Sequence, residues 1–135
     1  MSVAISDYDA VVQVIEKYYV GGGRTGDKSL LEHAFHPDAI MYGYERDGAR
    51  SEGSWRQLND YISQYGGSES IKTRVDVVAI TPQTAVVKLE MENSPSGATY
   101  TDFHTLFKFD DGWKIIAKVF YTHAEKNTTQ DTTQK

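Results

Sequence analysis

The chain has 135 residues, a hydrophobic fraction of 39%, a charged fraction of 24% and no cysteine. These values predict one globular domain, and the lack of cysteine excludes disulfides and thiolate metal sites. The net charge of −5 argues against nucleic acid as a partner, because such faces are basic. No secretion signal opens the chain and no apolar run could span a membrane, so we expect a cytoplasmic location and no membrane partner.

Three helices are predicted in the first half of the chain. Apolar residues recur at helical spacing from Tyr8 to Tyr19, and Gly21–Gly23 is expected to end that helix. A second, short helix should span residues 28–35, and a third should span residues 55–65.

The boundaries of the second helix have clear chemical signals. Asp27 has the side chain of an N-cap, and Pro37 disfavours helical conformation in the residue before it. The segment from Asp27 to Pro37 is therefore expected to be a short capped helix that turns into a strand.

The remaining segments alternate apolar and polar residues with a period of two, which predicts strands. A hairpin is expected first, and four longer strands follow it. The predicted strands are residues 40–45, 49–52, 71–80, 84–92, 98–109 and 113–123. Helices followed by a meander of strands indicate an α+β domain with the helices on one face of the sheet.

Three motifs resemble the nuclear transport factor 2-like superfamily, and their wording is nearest to its SnoaL-like or putative lumazine-binding branch. The motif YYVGGGRTGDKSLLEHAF resembles the superfamily's first helix, Gly-Asp turn and second helix. The motif FHPDAIMYGY resembles its entry into the first strand, and FHTLFKFDDGWKIIAKVF resembles its closing hairpin. The resemblance covers residues 8–123.

This resemblance implies a cystatin-like cone, in which three N-terminal helices pack on a strongly curved, mixed or antiparallel sheet. The open end of the cone forms a pocket, and the outer sheet face commonly joins two subunits into a homodimer. We assign residues 1–124 to this single domain. The polar residues 125–135 carry almost no apolar groups and are predicted to form a mobile tail.

The pocket lining is predicted from the resemblance and from the alternation of the strands. Nine tyrosines in the chain favour a flat aromatic or heterocyclic ligand, because a phenol combines an apolar ring with one polar tip. The expected ligand contacts are Tyr19, Tyr44, Trp55, Phe103, Thr105, Phe107 and Phe120.

Most of the machinery of the isomerases in this superfamily is missing. Their base would fall at Gly43 and their acidic donor at Thr105, whereas Tyr19 falls at their donor tyrosine. The isomerase reaction itself is therefore not expected, and other candidates for catalysis are needed.

Asp102 and His104 share one face of a predicted strand and could form an acid–base couple. However, Phe103 and Phe107 occupy the other face, and the aromatic side is expected to face the pocket. Asp102 and His104 are therefore expected on the outer face, in solvent or in a subunit contact.

Lys118 alternates with Phe120, which resembles the aromatic floor of the superfamily's pocket. If Lys118 points inward, it could bind an anionic ligand or act as a base. If it points outward, its stem covers neighbouring strands and its ammonium group lies in water.

His36 and Asp38 flank Pro37, and their side chains either shape the turn or bring His36 to the pocket mouth. The four histidines, His33, His36, His104 and His123, show no metal-binding spacing, so no metal is expected and no cofactor is implied.

The sequence therefore predicts a small-molecule binding domain with a pocket inside the cone. The alternatives are an enzyme of isomerase, dehydratase or polyketide-cyclase-like type, and a dimeric assembly module with a vestigial pocket. For an enzyme, the candidate catalytic residues are Lys118, His36, Asp102 and His104.

Overall fold

A computed structural model describes residues 2–124 as one helical layer on one sheet, and the predicted tail at residues 125–135 lies outside the described residues. The helical elements are α1 (Ile5–Gln13), a π-helical segment (Val14–Val20), α2 (Gly21–Thr25), α3 (Lys28–Ala34) and α4 (Gln57–Tyr65). The strands are β1 (Phe35–Tyr44), β2 (Arg50–Ser54), β3 (Lys72–Ile80), β4 (Thr84–Glu92), β5 (Tyr100–Phe109) and β6 (Gly112–Thr122).

The first helical rod is longer than predicted, since α1, the π-helical segment and α2 follow one another without a break. The expected end at Gly21–Gly23 is wrong. Gly22 lies inside the rod and allows α3 to pack closely, because a Cβ atom there would stand 2.8 Å from Leu31 Cδ2. The rod ends instead at Gly26, whose φ of 74° is the left-handed conformation typical of a residue after a helix.

The second helix begins at the predicted cap. Asp27 Oδ1 accepts a hydrogen bond from Ser29 N at 2.9 Å, and this satisfies one of the free N–H groups at the start of α3. The helix ends at Ala34, and Phe35 already has extended backbone angles as the first residue of β1.

The six strands form one mixed sheet in the order β2-β1-β6-β5-β4-β3. Strands β1 and β6 are parallel, and the other neighbouring pairs are antiparallel. The predicted α+β class, with three helices packed on this sheet, is confirmed. Within residues 2–124, no helix has the length and apolar character that a bilayer crossing requires.

A bulge in β6 changes which residues of the closing hairpin share a face. Leu106 pairs with Ile115, but its neighbour Thr105 pairs with Ala117, so Ile116 is one residue more than β5 can match. Because successive strand residues point to opposite faces, one extra residue exchanges the two faces of one strand relative to the other.

The bulge changes the residue pairs that follow it along the hairpin. In a regular continuation of the hairpin, Phe103 would lie opposite Lys118. Beyond the bulge, His104 lies opposite Lys118 and Asp102 lies opposite Phe120. These four residues share the inner face, where their side chains are buried.

The hydrophobic core lies between the helices and the inner face of the sheet. Buried residues of the first rod, α3 and α4 meet alternate residues of β4, β5 and β6 there. The core includes Val11, Ile15, Leu31, Ile62, Val87, Leu89, Leu106 and Ile115. This packing closes one end of the space between the layers and leaves a cavity toward α4.

Candidate functional site

Three polar side chains meet deep in the core. The Tyr19 hydroxyl donates a hydrogen bond to Asp102 Oδ2 at 3.0 Å, and His104 Nε2 lies 3.3 Å from the same oxygen. Asp102 and His104 are at most 1% exposed, and the rings of Tyr19 and His104 meet edge to face at 4.7 Å. Burying such groups is costly unless they are paired, so the cluster is a candidate for function as well as for stability.

Tyr19 reaches this cluster from the π-helical segment Val14–Val20 of the first rod. A π-helical turn contains one more residue per hydrogen-bonded ring than an α-helical turn, and such turns occur frequently at functional sites. Val14, Ile15 and Val20 are buried beside Tyr19, which keeps this part of the rod against the sheet.

Burial and charge together set the protonation of the cluster. Burial would raise the pKa of Asp102, but the charge of Lys118 and the contacts with His104 and Tyr19 bring that pKa below its ordinary value. Burial is also the main reason that the pKa of His104 is lowered, against the opposing effect of Asp102. Burial and then Asp102 raise the pKa of Tyr19 well above its ordinary value.

At neutral pH the cluster therefore contains a carboxylate, a neutral imidazole and a protonated phenol. Because a carboxylate can only accept hydrogen bonds, His104 Nε2 carries the proton that faces Asp102. His104 Nδ1 is then a free lone pair, and it has no hydrogen-bond partner among the described residues.

Lys118 points into the protein, beside this cluster, and is 5% exposed. Its Nζ atom lies 3.6 Å from Met41 Sδ, 4.6 Å from the centre of the Phe120 ring and 5.4 Å from the centre of the Tyr19 ring. Within the described part of the chain, no carboxylate oxygen lies within 4.0 Å of it. The inward alternative for Lys118 is thus the one that the structure adopts.

A cavity of about 370 Å³ opens next to these groups, between α4 and the sheet. Tyr19, Lys118 and Phe120 line its inner part, and Glu45 and Asp60 are the carboxylates among its lining residues. The other lining side chains are mainly apolar or aromatic, among them Met41, Leu58, Tyr61, Ile62, Tyr65, Met91 and Tyr100. This combination is typical of a small-molecule site.

One wall of the cavity is held by a small hydroxyl network. Tyr61 OH donates to Ser96 Oγ at 3.0 Å and accepts from Ser96 N at 3.1 Å. Tyr100 OH lies 3.2 Å from the same Ser96 Oγ. The network ties α4 to the connection between β4 and β5, so two aromatic rings present fixed faces to the cavity.

Several predicted ligand contacts lie elsewhere, and their assignment to the pocket is wrong. Phe103 and Phe107 are 46% and 41% exposed on the outer face, and Thr105 shares their side of β5. The reason is that Leu106 and the other even-numbered residues of β5 from 102 to 106 face the core, and the β6 bulge brings Lys118 and Phe120 onto that same face. The expectation that Asp102 and His104 lie outside is wrong for the same reason.

Tyr44 and Trp55 also do not line this cavity. Tyr44 is 50% exposed, because the inner face of β1 is occupied by Met41 and Gly43. Trp55 is buried and stacks on Phe35 at 4.7 Å between ring centres, so it serves the core.

His36 lies outside this cavity as well. It lines a separate cavity of about 310 Å³, together with Trp55 and Lys114, and its ring stacks on Phe109 at 4.7 Å. Its Nδ1 atom accepts a hydrogen bond from Asp38 N at 3.0 Å, as expected for a side chain that shapes the turn. A catalytic role for His36 together with Lys118 is not supported by this placement.

Tyr19, Phe120 and Lys118 are the predicted residues that the structure brings together at the cavity. Sequence reasoning missed Met41 and Tyr100, which also line it. One signal was available: Tyr100 and Leu106 share the parity of Asp102 and His104, and both are large groups that favour an inner face. Among residues 2–124, no group of three or more His, Asp or Glu side chains could hold a metal ion.

The chain is similar to proteins of known sequence and structure. Residues 6–121 match the family described as "Putative lumazine-binding". The protein named Aldolase FrzH, from a Cladobotryum species, is 39% identical over 118 residues, covering 87% of this chain and 93% of that protein.

Two solved structures extend the comparison. A nuclear transport factor 2-like protein of unknown function from Methylobacillus flagellatus is 29% identical, with a TM-score of 0.83 over 92% of this chain and 99% of that one. A cystatin-like domain of unknown function from Nostoc punctiforme is 15% identical, with a TM-score of 0.67 over 95% of this chain and 83% of that one.

Proposed function

Since the chain belongs to the putative lumazine-binding family, with its nuclear transport factor 2-like fold, we propose that it is an enzyme acting on a small carbonyl compound bound in this cavity. The proposed reaction is of the aldol type, in which a carbon–carbon bond next to a carbonyl group forms or breaks. The relative named an aldolase supports this reaction class, since it is 39% identical over 87% of the chain.

The observation that carries the proposal is the position of Lys118 in the cavity wall, beside the Tyr19–Asp102–His104 cluster. In aldol cleavage, the electrons of the breaking carbon–carbon bond move toward the carbonyl group. A buried lysine amine at that carbonyl can stabilise the negative charge that develops there. A pocket that only held an aromatic ligand would not need a buried lysine with a carboxylate and an imidazole behind it, because their burial is costly.

Tyr19 is the second group that can reach a substrate. Tyr19 lines the cavity and donates its one hydroxyl hydrogen to Asp102, so its oxygen can accept a hydrogen bond from a hydroxyl group of the substrate. Asp102 and His104 do not line the cavity, and Asp102 positions Tyr19 by accepting its hydroxyl hydrogen. Tyr61, Tyr100 and Phe120 provide flat faces for an aromatic or heterocyclic part of the substrate.

The test is cleavage of a fluorogenic β-hydroxy ketone that releases a methoxynaphthaldehyde. We expect the native protein to release aldehyde and Lys118→Met to lose this activity. The matched control is Lys114→Met, since Lys114 lies on the same strand, outside the cavity, and donates to His33 O at 3.1 Å. Equal rates for the native protein and Lys118→Met would refute the proposed reaction site.

Binding without catalysis is the second candidate, and the aromatic lining favours it. A thermal-shift series with flavins, pterins and aromatic acids tests it directly, because a ligand that binds only the folded state raises the melting temperature. A raised melting temperature with a pterin, together with no turnover of carbonyl probes, would favour the binding function over the enzyme.

We also propose that the outer sheet face joins two copies of the chain. Tyr42, Val119 and Phe103 lie side by side on β1, β6 and β5, and each is at least 44% exposed. A row of exposed apolar groups across three strands is typical of an interaction surface. Sedimentation analysis is expected to show a dimer, and a monomer at micromolar concentration would contradict this proposal.

A further inference from the structure

Lys118 is the one amine among the described residues that line the cavity. The lining contains no arginine, histidine or cysteine, and Ser51 already donates its hydroxyl hydrogen to Glu45 Oε2 at 2.5 Å. If a covalent bond to the substrate forms in this cavity, Lys118 Nζ is therefore the atom best placed to form it.

The contacts of Lys118 differ from those of the lysines that form ion pairs at the surface. Lys88 and Lys108 each contact a carboxylate oxygen at 3.3 Å, at the surface of the protein. Lys118 contacts a thioether sulfur, which is a weak acceptor, and two aromatic rings. None of its N–H groups has an oxygen partner within the part of the chain that the structure describes, so the nitrogen is not committed to a structural hydrogen bond.

A proton acceptor lies directly opposite. His104 and Lys118 are paired across β5 and β6 and point to the same face, where opposite side chains start about 5 Å apart. The imidazole is neutral at neutral pH because burial lowers its pKa, and its Nδ1 lone pair has no partner among the described residues. Asp102 holds the ring through Nε2, so the unpaired nitrogen is the one left to receive a proton.

We infer that Lys118 is a covalent catalyst that forms an imine with the carbonyl carbon of its substrate, and that His104 takes the proton released by the amine. This deepens the proposed function and rests on it. The substrate class is a ketone or aldehyde that has an acidic α-hydrogen and an aromatic or heterocyclic part that fits the tyrosine-lined wall.

The reaction balances with water as the only co-reactant. The ammonium group of Lys118 first passes a proton to His104. The amine nitrogen then bonds to the carbonyl carbon, His104 returns the proton to the carbonyl oxygen, which leaves as water, and an iminium ion remains on Lys118. In the cleavage direction, the β-hydroxyl group passes its proton to His104, which later returns it to the enamine carbon, and the carbon–carbon bond breaks. The aldehyde then leaves, and the electrons of the broken carbon–carbon bond form an enamine on Lys118. Protonation of the enamine carbon and addition of water release the ketone and the free amine. Synthesis is the same sequence in reverse.

The experiment uses the full chain and two chemical probes. Acetylacetone condenses with a reactive amine to a conjugated enaminone, which absorbs in the near ultraviolet and does not require turnover. Borohydride reduces an imine formed with the β-hydroxy ketone or its ketone product to a stable secondary amine, which peptide mass mapping locates. We expect both adducts on Lys118, and none at comparable rate on Lys114.

Lys118→Arg separates covalent catalysis from a role as a charge, because arginine keeps the cation but does not form the imine. We expect it to lose the β-hydroxy ketone cleavage at least about 100-fold, and Lys114→Arg to retain it. His104→Gln should slow enaminone formation and change its pH profile, while Lys118 still forms the adduct.

The outcomes keep the two proposals apart. Turnover that survives in Lys118→Arg, without a borohydride adduct on Lys118, would overturn the imine and leave the aldol reaction standing. An enaminone on Lys118 without cleavage of the β-hydroxy ketone would support the nucleophile and count against the proposed reaction. Absence of both adducts on Lys118 in the folded native protein would refute the inference.

Discussion

Beyond the bulge, the two faces of the β5–β6 hairpin reverse the usual pattern of a half-buried sheet. Its inner face carries Asp102, His104 and Lys118, all at most 5% exposed. Its outer face carries Phe103 and Val119, which are 46% and 49% exposed. Ordinary strands place apolar groups inside and charged groups outside.

The difference indicates a separate role for each face. Charged groups inside cost stability unless they are paired, so the inner face is best explained by chemistry at the cavity. Aromatic groups outside are best explained by a partner that covers them. The predictions below challenge this division, from the largest expected effect on stability to the smallest.

The largest effect is expected for Asp102→Ala on the inner face. The change removes the acceptor of Tyr19 OH and the negative charge next to Lys118, and it leaves a positive charge buried without compensation. Breaking a buried charged cluster in this way should lower the free energy of unfolding by about 3–5 kcal/mol. Urea denaturation monitored by circular dichroism measures it.

Asp76→Ala is the control for that change. Asp76 forms an ion pair with Arg74 at 3.0 Å near the surface of β3, where water screens the charges. A much smaller loss is expected there. Similar losses for the two variants would mean that the inner cluster is not a coupled, buried unit.

A second effect on the inner face concerns the position of Phe120. A Cβ atom on Gly43 would stand 2.3 Å from Phe120 Cδ1, so Gly43→Ala must displace the ring that lines the cavity. Overpacking of this kind should cost about 1–3 kcal/mol in thermal or urea unfolding. Gly21→Ala is the matched control, because its new methyl group would lie at an ordinary 3.6 Å from Leu30 Cδ1.

The double variant Gly43→Ala with Phe120→Leu sharpens this prediction. If the clash with the ring is the cause, the smaller side chain should restore part of the lost stability. A double variant that loses the sum of the two single effects would place the cause elsewhere.

The pH dependence of the unfolding free energy should reveal the protonation of the inner-face residues. Burial lowers the pKa of His104 in the folded protein, so the unfolded chain binds that proton more readily. The stability that neutral His104 contributes is present above about pH 6.5, the pKa of histidine in the unfolded chain. It is lost as the pH falls below that value. Asp102, whose pKa is also lowered, adds a further loss only below about pH 4.

Unfolding free energies measured between pH 7 and pH 5 test whether stability falls on acidification. His104→Gln should flatten the dependence in that range. A native protein that gains stability on acidification through this range would contradict the assignment of a neutral, buried imidazole.

The smallest effect on monomer stability is expected on the outer face. Val119→Glu places a charge in the middle of the exposed apolar row, and it should change the stability of a monomer by less than about 0.5 kcal/mol. It should nevertheless shift sedimentation from dimer to monomer. Val78→Glu, at a residue of edge strand β3 that is 61% exposed, is expected to leave the mass unchanged.

Local chemistry in the sequence was sufficient for most of the elements. The Asp27 cap and the alternation of β4 each depend on neighbouring residues, so the pattern predicted them well. The start of β1 was missed, because Phe35 was predicted as the end of a helix and is already extended. The end of the first helix was missed, since glycine weakens an isolated helix but here allows Gly22 to pack against Leu31. That gain exists only once α3 is in place.

The candidate site shows the same limit more sharply. The sequence by itself determined the α+β class and the tyrosine-rich character of the domain. Only the tertiary structure decided that Asp102 and His104 lie beside Lys118, because one extra residue at Ile116 exchanges the faces of the hairpin. A bulge is set by how two strands fit the layers around them, and the period-two pattern of either strand alone does not contain that information.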